Sequence, residues 1–199
     1  MVDDSETMLR TWQKRSSDSP DVKTLLRLLC YLTKKKDDDG VDLYYFHDPG
    51  LGLRRCKKSA DIFANITQRP FSGTTTPTLR VQKLLNAYRG KLEDYRDRRT
   101  KGKRVSKLHG LHLPWHSGEM ERPKPMILYV LTDGVWEDEK QLGDPYLDDT
   151  IKSLVDELKN SGCDKNHVGI QFISFGEHKF GLQRMRDLDC LAGRLRLDR

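Results

Sequence analysis

The sequence predicts an α/β fold in which a doubly wound, mostly parallel sheet carries helices on both faces. Two observations lead there. Segments of β-branched and aromatic residues alternate with segments of helical periodicity. One of the extended runs is also apolar at nearly every position, as a strand covered on both faces must be. The chain has 199 residues, enough to bury the core of one large domain. The expected organisation is a single domain over residues 1–199 with a basic, flexible insertion at 96–124.

The elements follow in order. Residues 22–33 (VKTLLRLLCYLT) place Leu25, Leu28, Leu29 and Leu32 at helical spacing behind a Asp-Ser-Pro-Asp start signal. Residues 41–47 (VDLYYFH) follow the turn Asp39-Gly40 and stop at Asp48-Pro49-Gly50, so they read as a strand. A short helix is expected at 59–66. Pro77 then opens a long helix over 77–95, with Leu84, Leu85, Tyr88 and Leu92 repeating along it. Residues 125–132 (PMILYVLT) are the clearest buried strand. Residues 146–160 carry Leu147, Ile151, Leu154, Val155 and Leu158 and end at Ser161-Gly162, the pattern of an amphipathic helix. A third strand is expected at 168–175 (VGIQFISF), stopped by Gly176, and a short helix at 181–191.

Composition narrows the class. Hydrophobic residues make up 36% and charged residues 33%, which points to a soluble protein with a modest core. No apolar run approaches the roughly 20 residues that span a bilayer, and the first residues are acidic, unlike a signal peptide. A cytoplasmic location is expected, with the nucleus as the alternative. Cys30, Cys56, Cys163 and Cys190 form no paired motif, so they read as reduced thiols, mostly buried, rather than a zinc site.

The charge is local. Residues 96–107 (RDRRTKGKRVSK) hold seven basic residues and one acidic residue, 7 − 1 = +6, while the whole chain is 36 − 30 = +6. The remainder therefore sums to zero. From 97 to 122 neither period fits, which reads as a flexible insertion too long for an ordinary connection. It includes His109, His112 and His116, whose ligand-like spacing is set against Gly110 and Pro114, which oppose a helix.

In a doubly wound sheet, ligands gather at the carboxyl ends of the strands. Three polar motifs stand at such places: Asp3-Asp4-Ser5-Glu6-Thr7 directly before Met8, Thr74-Thr75-Thr76-Pro77-Thr78 at the start of the long helix, and Thr132-Asp133-Gly134 at the end of the buried strand. They supply carboxylate and hydroxyl oxygens with no sulfur or imidazole, a donor set for Mg²⁺, Mn²⁺ or Ca²⁺ rather than zinc.

The three motifs together resemble the metal-ion-dependent adhesion site of von Willebrand factor A domains, which combine D-x-S-x-S, a threonine turn and a strand-end aspartate. Residues 39–44 and 168–172 are similar to an intracellular group of such domains known mainly from fungi. The resemblance implies a Rossmann-like fold and a metal site made of Asp3, Ser5, Thr7, Thr76 and Asp133. It further implies that the ion serves to bind a protein partner through an acidic side chain, not to catalyse a reaction. Two departures stand out. Thr7 replaces a serine, which keeps the hydroxyl, and Glu6 occupies a place usually held by glycine, where it can crowd the site.

The resemblance also implies a central strand of five or six residues before Asp3, of which only Met1 and Val2 are present. A truncated chain, or another chain filling the gap, is therefore expected. Two alternatives remain. A haloacid-dehalogenase-like phosphohydrolase would use Asp3 and Thr7, but Ser5 stands where its second aspartate belongs. A nucleic-acid-associated protein would work through residues 96–107, which lack interleaved aromatics and so offer salt-sensitive, sequence-independent binding at most.

Overall fold

Apolar residues at three- and four-residue spacing set the helices, and the two apolar runs form strands. The computed structural model describes residues 1–13, 22–34, 38–47, 52–73, 77–108, 121–136 and 145–194. Helix α1 spans Glu6–Gln13, α2 Val22–Lys34, α3 Ser59–Gln68 and α4 Pro77–Leu108. Strand β1 (Met126–Thr132) and helix α5 (Pro145–Asn160) follow, then a 3₁₀ turn at Lys165–His167, strand β2 (Val168–Ser174) and helix α6 (Lys179–Arg194). The described residues are thus mixed α and β, with β1 and β2 paired in parallel. No helix among them is long and apolar enough to cross a membrane.

The chain divides into two compact units. The first comprises Met1–Pro77, Leu128–Gly143 and Ile170–Ala192, and the second Thr78–Ile127, Asp144–Gly169 and Gly193–Arg199.

In the first unit the initial residues stand between two extended neighbours. Val2 bridges in parallel to Leu131 on one side and to Tyr45 on the other. The Leu131 N–H donates to the Met1 carbonyl (3.0 Å), the Asp3 N–H to the Leu131 carbonyl (2.9 Å) and the Val2 N–H to the Tyr44 carbonyl (2.8 Å). The amino-terminal ammonium donates to the Tyr129 carbonyl at 2.7 Å, and burial lowers its pKa to about 5. Thus Met1–Asp3 hold the central place that the sequence leaves nearly unfilled, and both neighbours are paired at that level. The strand expected at 41–47 is reduced to single bridges at Val41 and Tyr45. On one side Val2 bridges Tyr45, and on the other Val41 pairs antiparallel with Cys56 while the Leu43 N–H donates to the Leu53 carbonyl.

The core of this unit gathers Val2, Met8, Trp12, Leu26, Cys30, Leu43, Tyr45, Ile62, Ile66 and Leu131. These come from α1, α2, α3 and the extended segments, and α2 packs on both α1 and α3. Along β1, Leu128, Val130 and Thr132 are buried as well. Successive side chains of a strand point to opposite faces, so with Leu131 both faces of β1 are buried at its carboxyl end, while Ile127 near its start is 68% exposed, a departure from the full covering that the apolar run predicts.

In the second unit α4 buries Val81, Leu85, Tyr88, Leu92 and Tyr95, and α5 buries Leu147, Ile151, Leu154 and Leu158. Polar ties connect them. Arg96 donates to Glu157 at 2.6 Å, and the Ser161 hydroxyl donates to Glu157 at 2.8 Å. The Tyr88 hydroxyl donates to the Lys124 carbonyl at 2.6 Å, and burial pushes its pKa up to about 12.

Helix α4 corrects the sequence reading. It continues through Leu108 where an irregular, flexible insertion was expected from residue 96. Residues 97–108 hold only Val105 and Leu108 as apolar side chains, too few to show a period. Arg and Lys are nonetheless good helix formers, and the single Gly102 costs only about 1 kcal/mol. His109, His112 and His116 lie outside the described residues. The cysteines are free, as expected, but only Cys30 is buried, while Cys56 and Cys163 are half-buried and Cys190 is exposed.

Candidate metal centre

The site is built where the chain leaves its short central strand and enters α1. Asp3 Oδ1 accepts the Ser5 N–H at 3.0 Å, a local turn that aims the next residues into a helix. Ser5 is the helix cap, since its hydroxyl accepts the Met8 N–H at 3.3 Å. Glu6 opens the helix with its side chain exposed, so it does not crowd the buried carboxylate. The helix-capping and metal-ligand readings of Ser5 are therefore compatible, because a hydroxyl oxygen has two lone pairs.

The polar side chains form one continuous network. The Thr132 hydroxyl donates to Asp3 Oδ2 at 2.6 Å, and Ser5 also hydrogen-bonds Asp3. Ser5 Oγ lies 3.0 Å from Thr7 Oγ1, and Thr7 in turn hydrogen-bonds Asp133. Asp133 is held by the Val135 N–H at 2.9 Å. Asp3, Ser5 and Asp133 are buried while Thr7 is exposed, so the network ends at the surface. Of the five ligands suggested by sequence, four are thus brought together. Thr76 lies outside the described residues. Gly73, three positions earlier, is tied to the site by its carbonyl, which accepts the Glu6 N–H at 3.2 Å.

Electrostatics distinguish these carboxylates. Burial raises the Asp3 pKa to about 6, opposed by hydrogen bonds from Thr132 and Ser5 and reinforced by the charge of Asp133. Burial raises that of Asp133 too, against the Val135 and Thr7 hydrogen bonds, with His178 also opposing the rise. Among the described residues no lysine or arginine forms an ion pair with either. The adjacent Asp4 differs. Its Oδ2 is 2.5 Å from Arg69 Nη2 and accepts from Nε at 2.7 Å, and its Oδ1 accepts the His47 N–H at 2.8 Å.

The third motif does more than supply Asp133. Thr132, which holds Asp3, accepts from the Gly134 N–H (3.0 Å) and from Trp136 Nε1 (3.1 Å), so its hydroxyl is fully committed. Gly134 adopts φ 74°, and a Cβ there would lie 2.7 Å from the Gly181 carbonyl, so the strand end can pass this close to α6 only as glycine. Gly176, after β2, lies beside Asp133 Cβ. The rule that ligands lie at strand ends points to Gly176 and His178; nothing in the sequence pointed to Arg69 or Trp136.

The donors are two carboxylates and two hydroxyls, hard oxygens suited to a small divalent cation. Among the described residues no three His, Cys, Asp or Glu side chains are grouped to hold a metal, so hydroxyls would have to complete any set. Comparison with known proteins returns no relative: no family model matches the chain, and neither a curated protein nor a solved structure matches it.

Proposed function

We propose that this chain is a metal-dependent protein-interaction module of the von Willebrand factor A type, with a doubly wound sheet and a divalent cation, Mg²⁺ by preference, held by Asp3, Ser5, Thr7, Thr76 and Asp133. One observation carries the reading. Two buried carboxylates from different strand ends share a hydroxyl network that opens at Thr7, and among the described residues no lysine or arginine forms an ion pair with either, His178 alone bringing a partial positive charge near Asp133. Buried charge of this kind is costly unless it is paired. A cation held there would supply that charge and offer a coordination position to a partner's carboxylate.

The protein residues divide the work. Ser5 and Thr7 present hydroxyl oxygens from the first turn of α1, whose amide ends fix their spacing. Thr132 holds Asp3 in one orientation, and Trp136 and Gly134 hold Thr132. The order of extended segments supports the fold: the Tyr45 segment, Met1–Asp3, β1 and β2 lie side by side, and ligand residues follow two of them.

Calorimetric titration of the chain with MgCl₂ tests the proposal. Saturable binding is expected, lost in Asp133→Asn and weakened in Thr76→Val. Absence of binding by Mg²⁺, Mn²⁺ and Ca²⁺ to the folded chain would sink it.

A further inference from the structure

The basic run of residues 96–107 is not the surface it resembles in one dimension. Arg96 is committed to Glu157, and Arg99 donates to the Ser161 carbonyl at 3.4 Å. Both lie at the phase of the buried row of α4. At about 100° per residue, a different set of cations aligns along the helix. Arg80, Lys83, Lys91, Arg98 and Lys101 fall within about 80° of one another, roughly 120° around the helix from the buried row. Lys83, Lys91, Arg98 and Lys101 are exposed and Arg80 half-buried. Asp94 is the one acidic residue at that phase. The row runs about 32 Å along the helix axis at 1.5 Å per residue.

A second strip of chain extends the row sideways. Lys91, Asp94 and Arg98 face Glu121, Arg122 and Lys124 across a groove of about 300 Å³. Between Lys83 and Lys91 the surface is low: Ala87 is small, and a Cβ at Gly90 would meet nothing within 4 Å. Lys83, Lys91, Arg98 and Lys101 against Asp94 leave the exposed row a net of 4 − 1 = +3, and across the groove Arg122 hydrogen-bonds Tyr95 and lies near Asp164.

We propose that this face of α4, with the 121–124 segment, binds the phosphate backbone of a double-stranded nucleic acid without reading its sequence. A row this long and straight exceeds what a single phosphate needs, and it matches about one turn of a duplex in length. A rigid helix also holds the charges in place, so no loop must be ordered on binding. No exposed aromatic stands in the row to stack on bases, so phosphate contact is the whole of the interaction. This inference does not depend on the metal site.

Fluorescence anisotropy of the full chain with a labelled 24-base-pair duplex, in EDTA and across about 50–200 mM NaCl, tests it. Binding is expected to weaken steeply with salt. The variant K83Q/K91Q/R98Q/K101Q is expected to lose at least about 30-fold at the low-salt end, with the log–log salt slope shallower by about 3 to 4, since each lost phosphate contact removes about 0.9. The variant D94S/E121S moves charge the other way and is expected to bind more tightly. No binding by the unaltered chain, an unchanged slope in the fourfold variant, or equal competition by a poly-glutamate of matched charge would each overturn the proposal.

Discussion

Asp3 and Asp4 are neighbours in sequence, both buried, and chemically opposite. Asp4 has its charge met inside the protein by Arg69, which also lies 3.8 Å over the Tyr45 ring, and by the His47 amide. Asp3 receives only neutral donors, from Ser5 and Thr132, and the nearby Asp133 adds a second negative charge. The first arrangement is complete without help. The second leaves negative charge in a low-dielectric site, where it is worth far more than in water. Asp4 is thus satisfied within the fold, whereas the proposed cation would supply the charge that Asp3 lacks.

The contrast can be broken from either side. The largest effect is expected on the complete side. Arg69→Ala leaves Asp4 charged and buried, which should cost about 3–5 kcal/mol in urea unfolding, and Mg²⁺ should not recover it.

The incomplete side should respond to pH. Asp3 titrates at about 6 in the fold against 3.8 in the unfolded chain, so the folded state holds its proton more tightly. Stability should therefore be full below about pH 4 and be lost as pH rises through about 6, a difference on the order of 3 kcal/mol. The amino terminus runs the opposite way, because its pKa is lowered from 8.0 to about 5, so stability from that group grows as pH rises between those values. The difference between the unaltered chain and Asp3→Asn in metal-free buffer isolates the Asp3 contribution. If the two profiles are parallel, the carboxylate is not strained as described.

Supplying the missing charge should reverse the penalty. Mg²⁺ at a hundred times its dissociation constant should stabilise the fold by about 2.7 kcal/mol, read as a rise in Tm over an EDTA control. Asp133→Asn should show no such rise. The smallest effect is expected at the support. Thr132→Val strands the Trp136 and Gly134 donors and removes the Asp3 hydrogen bond, for about 1–3 kcal/mol in denaturant unfolding.

The same contrast marks what was legible in the sequence. The apolar runs at β1 and β2 and the helices α2, α4 and α5 stood out, because burial imposes a period. The residue types at Asp3, Ser5, Thr7 and Asp133 stood out because motif spacing survives in one dimension. The pairing of Asp4 with Arg69 did not, since 65 residues separate the partners and nothing local links them. Neither did the length of α4, because residues 97–108 hold too few apolar side chains to show a helical period. The short central strand was expected to leave its neighbours unpaired. Met1–Asp3 hydrogen-bond to both neighbours at their own level, a pairing of distant segments that no local pattern shows.

Carboxyl-detected NMR titration of Asp3, with and without Mg²⁺, addresses the central claim most directly. In EDTA the midpoint should lie near about 6. In saturating Mg²⁺ it should fall by more than about one unit, because the cation favours the charged carboxylate. A midpoint near 6 that Mg²⁺ leaves unchanged would contradict the account: Asp3 would then be a buried acid that helps cap α1 and nothing more.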